Sequence, residues 1–239
     1  MCIMDYMANV YRRRRLTAAL TIIVGLVIGA INFQQASPGG GTLSTAPQSP
    51  TGAPLALDGL RLLSVKGRAP KTDYARSQFG DGWATTGGCD TRNIILNRDL
   101  SNVEVDQACN VTKGTLDDPY TGKTIQFVRG ANTSASVQID HVVALSDAWQ
   151  KGAQRLTKST RVMLANDPLE LLAVDGSANQ QKLDGDAATW LPSNKAFRCQ
   201  YVARQIAVKL KFKLWVTQAE YDAISGILDK CPKQQLPVE

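Results

Sequence analysis

Four arginines at residues 12–15 run straight into sixteen apolar residues, LTAALTIIVGLVIGAI, at 16–31. A basic block ahead of an apolar run is the order of a Sec signal peptide or an uncleaved signal anchor. It constrains the fold more than any other feature. It takes residues 1–33 out of any soluble core and addresses the rest to an oxidising compartment. The run is shorter than the about 20 residues of a full bilayer span. Gly29, Ala30 and Ala36 form no clear A-x-A site, so the residues leave cleavage and anchoring both open. Met7 offers an alternative start that would delete Cys2.

Residues 34–56, QQASPGGGTLSTAPQSPTGAPLA, carry no charge and little to bury, and read as a flexible linker ahead of a single domain at 57–239. In that domain stand Cys89, Cys109, Cys199 and Cys231, an even set that favours two disulfides over free thiols. Nearest-neighbour pairing joins Cys89 to Cys109 and Cys199 to Cys231, one of three connectivities four cysteines allow. No C-x-x-C is present, so a structural zinc site is the weaker reading. The chain's net charge is +6, and removing the four arginines and Asp5 with the leader lowers it to +3. That value permits a polyanionic partner without demanding one.

Along the domain, ALDGLRLLSVKGR suggests a short helix or strand and RNIILNRDL a helix, while VTKGTL and TIQFVR flank the turn signal DDPYTG as a hairpin. Residues 137–143 read as a short apolar strand interrupted by Asp140 and His141. A helix is expected over 147–156, then a buried strand at 169–174, then a helix opening at Ala178 with Ser177 as its N-cap. Past Pro192 the chain reads as helical to about Leu214, and the capping box TQAE at 217–220 starts a last helix. On the first of these helices Phe197, Tyr201, Val208 and Phe212 share a side. Arg204, Lys209, Lys211 and Lys213 supply a basic surface suited either to solvent or to a nucleic-acid backbone. Trp149 and Trp190 are expected in the core.

His141 is the chain's only histidine. A peptidase zinc site built on two histidines is therefore impossible, and no G-x-S-x-G elbow is present. Phosphodiester hydrolysis asks for a base near neutral pH, which imidazole provides, and a cation on hard oxygens to neutralise the phosphate. Neighbours on a regular strand point to opposite faces, so Asp140 and His141 can serve one cleft only at a strand end. A helix opening near Ala178 puts Asn179 in its first turn, with Lys182 three residues on.

IDHVVALSDAW followed by NDPLELLAVDGSANQQKLDGDAATWLP resembles the ββα-metal core of HNH (His-Me finger) nucleases. The likeness is closest to a secreted bacterial family related to the nuclease domain of modification-dependent restriction enzymes. GCDTRNIILNRDL, GTLDDPYTGKTIQFVRG and NKAFRCQYVARQIAVK extend it over about residues 57–231. The resemblance implies an α+β fold: an HNH core with an added N-terminal hairpin and C-terminal helices. It implies His141 as general base, Asp140 and Asn179 as metal ligands, and a divalent ion, Mg²⁺ ahead of Mn²⁺ or Zn²⁺. The substrate is nucleic acid, DNA ahead of RNA, and no obligate protein partner is expected. Action would be in the secreted space, or at the outer face of the membrane if the N-terminal segment is retained.

Two positions depart from the pattern. Glu170 stands where the family has its middle asparagine, which leaves Asn166 as a substitute for orienting the histidine, and Leu183 stands where glycine is expected. Lys182, Arg92 and Arg98 are candidates for holding phosphate, with pairing of the arginines to Asp90 or Asp99 as the alternative. Asp184 and Asp186 read as a turn closing the short helix, or as an outer metal shell. A catalytically silent descendant of the same fold, binding a cell-envelope polymer or protein, is the competing function, and Glu170 is its support.

Overall fold

Alternation along VTKGTLD turns Gly114 and Leu116 toward one side of a strand, with Val111 buried at its start, and the same rule buries Phe127 in TIQFV. The computed structural model describes residues 52–238, which fall in one unit spanning Ser49–Glu239. The leader and most of the linker lie outside the described residues. The linker's last residues do not behave as one: Pro54 O accepts from Leu236 N at 2.9 Å, Leu55 bridges to Gln235, and Ala56 opens a helix. Apolar Leu55 and Ala56 give the chain something to dock, which the Gly- and Pro-rich stretch before them lacks.

In chain order the elements are α1 (Ala56–Leu62), β1 (Thr85–Thr86), β2 (Cys89–Asp90), α2 (Thr91–Asp99), β3 (Ser101–Val105), β4 (Val111–Asp117), β5 (Thr124–Val128), β6 (Val137–His141), α3 (Leu145–Gln150), α4 (Lys158–Ala165), β7 (Leu171–Asp175), α5 (Gly176–Lys182), α6 (Arg198–Lys211) and α7 (Gln218–Leu228). The mixture is α+β. The expected hairpin is present as β4 and β5, with β3 added on the other edge of β4 to make three antiparallel strands. SNVEV buries no side chain, so it carries no apolar signal by which a strand could be read. Both disulfides follow nearest-neighbour pairing, Cys89 with Cys109 and Cys199 with Cys231.

β6 and β7 pair antiparallel from Val137 opposite Asp175 to His141 opposite Leu171. Their two faces serve two cores. Val137, Ile139, Leu171 and Ala173 pack with Ile95, Leu96 and Phe127 beneath the three-stranded sheet. Leu172 and Val174 face a larger core built on Tyr201, Val202, Ile206 and Val208 of α6, with α1, α3 and α7 around it. A strand pair buried on both faces is a rigid mount for whatever stands at its end.

Helix boundaries differ from expectation for local reasons. Residues 147–156 do not form one helix: α3 stops at Gln150, and Gly152, at φ 126°, separates it from a 3₁₀ turn at Ala153–Arg155. α5 opens at Gly176 rather than Ala178, because Asp175 and not Ser177 caps it, its carboxylate accepting from Ala178 N at 2.8 Å. Thr217 caps α7 as expected, accepting from Glu220 N at 3.2 Å. Glu220 does not complete the capping box but turns inward to Lys151 and Lys209, at 2.6 and 2.8 Å. Among the described residues no helix is long and apolar enough to cross a membrane.

Candidate active site

His141 is the last residue of β6, and the chain leaves the strand there. Asp140, one position earlier, points to the opposite face of the pair, yet both side chains border one cleft of about 230 Å³. Asn179 reaches the same cleft from α5, and Tyr74, Arg76 and Asp184 close its remaining sides. The end of β6 and the helix that follows its partner β7 thus bring together the three residues singled out as base and ligands.

The imidazole of His141 is 6 % exposed, and its Nε2 lies 3.0 Å from the carbonyl oxygen of Ala165. A carbonyl only accepts, so Nε2 carries the proton and Nδ1 keeps its lone pair. Burial, then the charges of Arg76 and Lys182, push the ring's pKa down to about 3. The imidazole is therefore neutral across the working range of pH. Trp83 stacks on it, with ring centroids 5.7 Å apart and planes 10° from parallel.

Asp140 is buried and held on both oxygens. Lys182 Nζ donates to Oδ1 at 2.9 Å, and the Tyr120 hydroxyl donates to Oδ2 at 2.5 Å. Burial raises the carboxyl's pKa, opposed by the lysine charge and these two hydrogen bonds. The same ammonium donates to the His141 carbonyl at 2.7 Å. Lys182 is thus fully buried and committed to β6, not placed to meet a phosphate from solvent. Tyr120 sits in an aromatic cluster with Trp190 and Tyr201, so its hydroxyl is fixed by packing.

A hard cation requires oxygen donors. Each Asp140 oxygen spends one of its two lone pairs on the bonds above. Asn179 gives its amide nitrogen to Gln138 Oε1 at 2.9 Å, leaving its amide oxygen without a hydrogen bond among the described residues. Two such oxygens plus water match the sparse protein ligation Mg²⁺ accepts. Among the described residues no three or more His, Cys, Asp or Glu are grouped as metal ligands, which disfavours a four-ligand zinc centre.

The remaining candidates are structural. Asn166 accepts from Ala84 N at 2.8 Å and donates to Val162 O at 3.0 Å, so it does not orient the histidine; the carbonyl one residue earlier does. Glu170 is fully buried, with Oε2 accepting from Val143 N at 3.1 Å and its carbonyl from Val142 N at 2.9 Å. It holds the turn that follows His141. Arg92 donates to the carbonyls of Ser134 and Val137, not to Asp90. Arg98 pairs with Asp99 and reaches the carbonyls of Pro168 and Leu171. Arg98 thus spends all three guanidinium nitrogens on protein partners, and Arg92 its Nη2. Asp184, on the cleft wall, accepts from Lys71 and Ser146. On α6, Lys209 is buried against Glu220 and Arg204 donates to the carbonyls of Leu169 and Pro168, while Lys211 and, just past the helix, Lys213 are exposed.

Three site residues escaped the sequence reading. Tyr120 lies in a turn signal, Trp83 in a Gly- and Thr-rich stretch, and Arg76 in a segment with no apolar period. Arg76 is exposed, borders the cleft beside His141 and makes no hydrogen bond or ion pair among the described residues.

Residues 90–227, from the end of β2 to the last turn of α7, match the family described as GmrSD restriction endonucleases, C-terminal domain. The chain belongs to that family. The matched span is more than half the chain and carries Asp140, His141 and Asn179. A protein of the fungus Arthroderma benhamiae named as an uncharacterized secreted protein is 37 % identical over 171 residues, 71 % of this chain and 81 % of that one. That relative is fungal, where the resemblance implied a bacterial family. No solved structure matches. Membership of the GmrSD C-terminal domain family makes this a nuclease-related domain. Its two disulfides and its secreted relative agree with a place outside the reducing cytoplasm.

Proposed function

We propose that the domain is a metal-dependent endonuclease of the HNH (His-Me finger) type, hydrolysing phosphodiester bonds of nucleic acid, DNA ahead of RNA, outside the cytoplasm. The observation that carries this reading is the state of His141: a neutral ring anchored through Nε2, its Nδ1 lone pair available, at the mouth of a cleft shared with Asp140 and Asn179. In this reading Nδ1 takes the proton of a water as its oxygen attacks phosphorus. Ala165 O keeps the ring in one tautomer, and the charge left on Nε2–H after proton uptake is shared with that carbonyl. Asp140 and Asn179 would hold the divalent ion, most simply Mg²⁺, which when bound neutralises charge on the phosphate and the departing oxygen. Lys182 and Tyr120 fix the carboxylate's orientation, and Arg76 meets the incoming phosphate.

Incubating the domain with plasmid DNA and Mg²⁺ tests this. Cleavage should be abolished by EDTA and by His141→Ala, with unchanged circular dichroism in the variant. Undiminished cutting by His141→Ala would overturn the mechanism. The grip of Lys182 and Tyr120 on both Asp140 oxygens favours a second reading, a catalytically silent member that binds an envelope polymer or protein. Chelator-sensitive cleavage excludes it.

A further inference from the structure

A second cavity lies against His141, adjoining the cleft that holds Asp140 and Asn179 and sharing Arg76, His141 and Leu145 with it. It encloses about 150 Å³ and is walled by Phe79, Trp83, Leu145 and Ala165, with the main chain at Gly80 and Gly82 completing it. Arg76 apart, none of its walls carries a charge. Engineered apolar cavities of about this volume admit a single six-membered aromatic ring. A Cβ added at Gly82 would meet no atom within 4 Å, so that edge is open space. Beyond the Ala165 carbonyl that anchors His141, the phosphate chemistry uses none of these groups.

Arg76 connects the two spaces. It lines both cavities, is exposed, and makes no hydrogen bond or ion pair among the described residues. A cation between an apolar, aromatic-walled slot and a hydrolytic cleft repeats the order of a nucleotide: base, phosphate, reacting bond. A base still stacked in a duplex cannot enter such a slot, whereas an unpaired base can stack against aromatic walls.

We propose that this cavity takes the unstacked base of the nucleotide next to the scissile phosphate, a pyrimidine ring ahead of the larger purine, with Arg76 on the phosphate between. The substrate is then single-stranded or locally unpaired DNA. This deepens the nuclease reading and rests on it.

The experiment uses the protein with Mg²⁺ and one labelled DNA strand in three forms: free, annealed into a duplex, and carrying an abasic site beside the preferred cut. The free strand should be cut at least roughly tenfold faster than the duplex, next to pyrimidines, and the abasic form should lose roughly tenfold at that phosphate alone. Phe79→Leu, which removes an aromatic wall at a residue the hydrolysis does not use, should shrink the difference between intact and abasic strands. Equal rates on strand and duplex, or no effect of the missing base, overturn the proposal. If no DNA is cut at all, the nuclease reading falls instead. Binding measured by anisotropy in EDTA then decides the cavity's role: weaker binding of the abasic strand supports it, and equal binding of intact and abasic strands overturns it.

Discussion

Lys182 carries two structural duties with one ammonium, pairing Asp140 and holding the His141 carbonyl, so it is the residue whose loss should be felt most widely. Lys182→Met leaves a buried carboxylate unpaired and should cost roughly 3–5 kcal/mol in a denaturant titration. A cost near zero would mean that Asp140 is neutral in the fold. Leu183 behaves oppositely. It sits 77 % exposed at φ 53°, ψ −123°, a conformation that favours glycine. Leu183→Gly should stabilise by about 1 kcal/mol, since it removes strain and loses no packing. Arg76→Ala should lower kcat/KM roughly ten- to hundredfold, the worth of a charge-assisted bond to phosphate, with the fold intact. At this scale the meeting of Asp140, His141 and Asn179 at one cleft was legible, because a lone histidine beside a carboxylate at a strand end and an asparagine in a helix's first turn stand out. Lys182 was misread because a lysine's burial depends on a carboxylate forty-two residues away. Nothing local announces such a partner.

Among the elements, α5 is placed by contact with the segment before β6. A Cβ on Gly176 would come within 2.1 Å of the Ala135 carbonyl oxygen, so the helix can approach this closely only with glycine at its first position. Gly176→Ala should push α5 away, carrying Asn179 with it. The expected outcome is lost Mg²⁺-dependent cleavage together with a lower melting temperature. The turn after β6 depends on Glu170, whose carboxyl pKa burial drives well above the ordinary carboxylate range, a shift that favours the neutral acid. Glu170→Gln should therefore fold and cut nearly as the parent does, whereas Glu170→Ala orphans the Val143 amide at roughly 1–3 kcal/mol. Should Gln prove as damaging as Ala, the neutral-acid account is wrong. Strong apolar patterns made α2, β4, β5, β6, β7 and α7 readable from the residues. β3 and the break after α3 were not, since one buries nothing and the other turns on a single glycine's φ angle.

The whole domain is braced by covalent and ionic ties remote from the cleft. Lys151, fully buried, lies within 2.8 Å of Asp147, Asp186 and Glu220, and Arg68 and Lys209 bring the cations to three against three carboxylates. Burial pushes the Asp186 carboxyl up, but the Lys151 hydrogen bond and charge and then Arg68 outweigh it and bring the pKa to about 2. A carboxylate depressed on folding contributes stability that is present above its unfolded pKa of about 4 and is lost as pH falls toward the folded value. The urea midpoint should thus hold from neutral pH to mild acid and fall below about pH 4. Asp186→Asn should flatten that fall. The bridges Cys89–Cys109 and Cys199–Cys231 span 20 and 32 residues, and removing either should cost about 3 kcal/mol, visible as a lowered melting temperature under reductant.

Pro54 and Leu55 lie hydrogen-bonded beside Gln235 and Leu236, so the two ends of the described fold lie side by side. A unit whose entry and exit coincide is portable. Spliced into a surface loop of an unrelated host, it would ask of that host only a gap as narrow as two neighbouring strands.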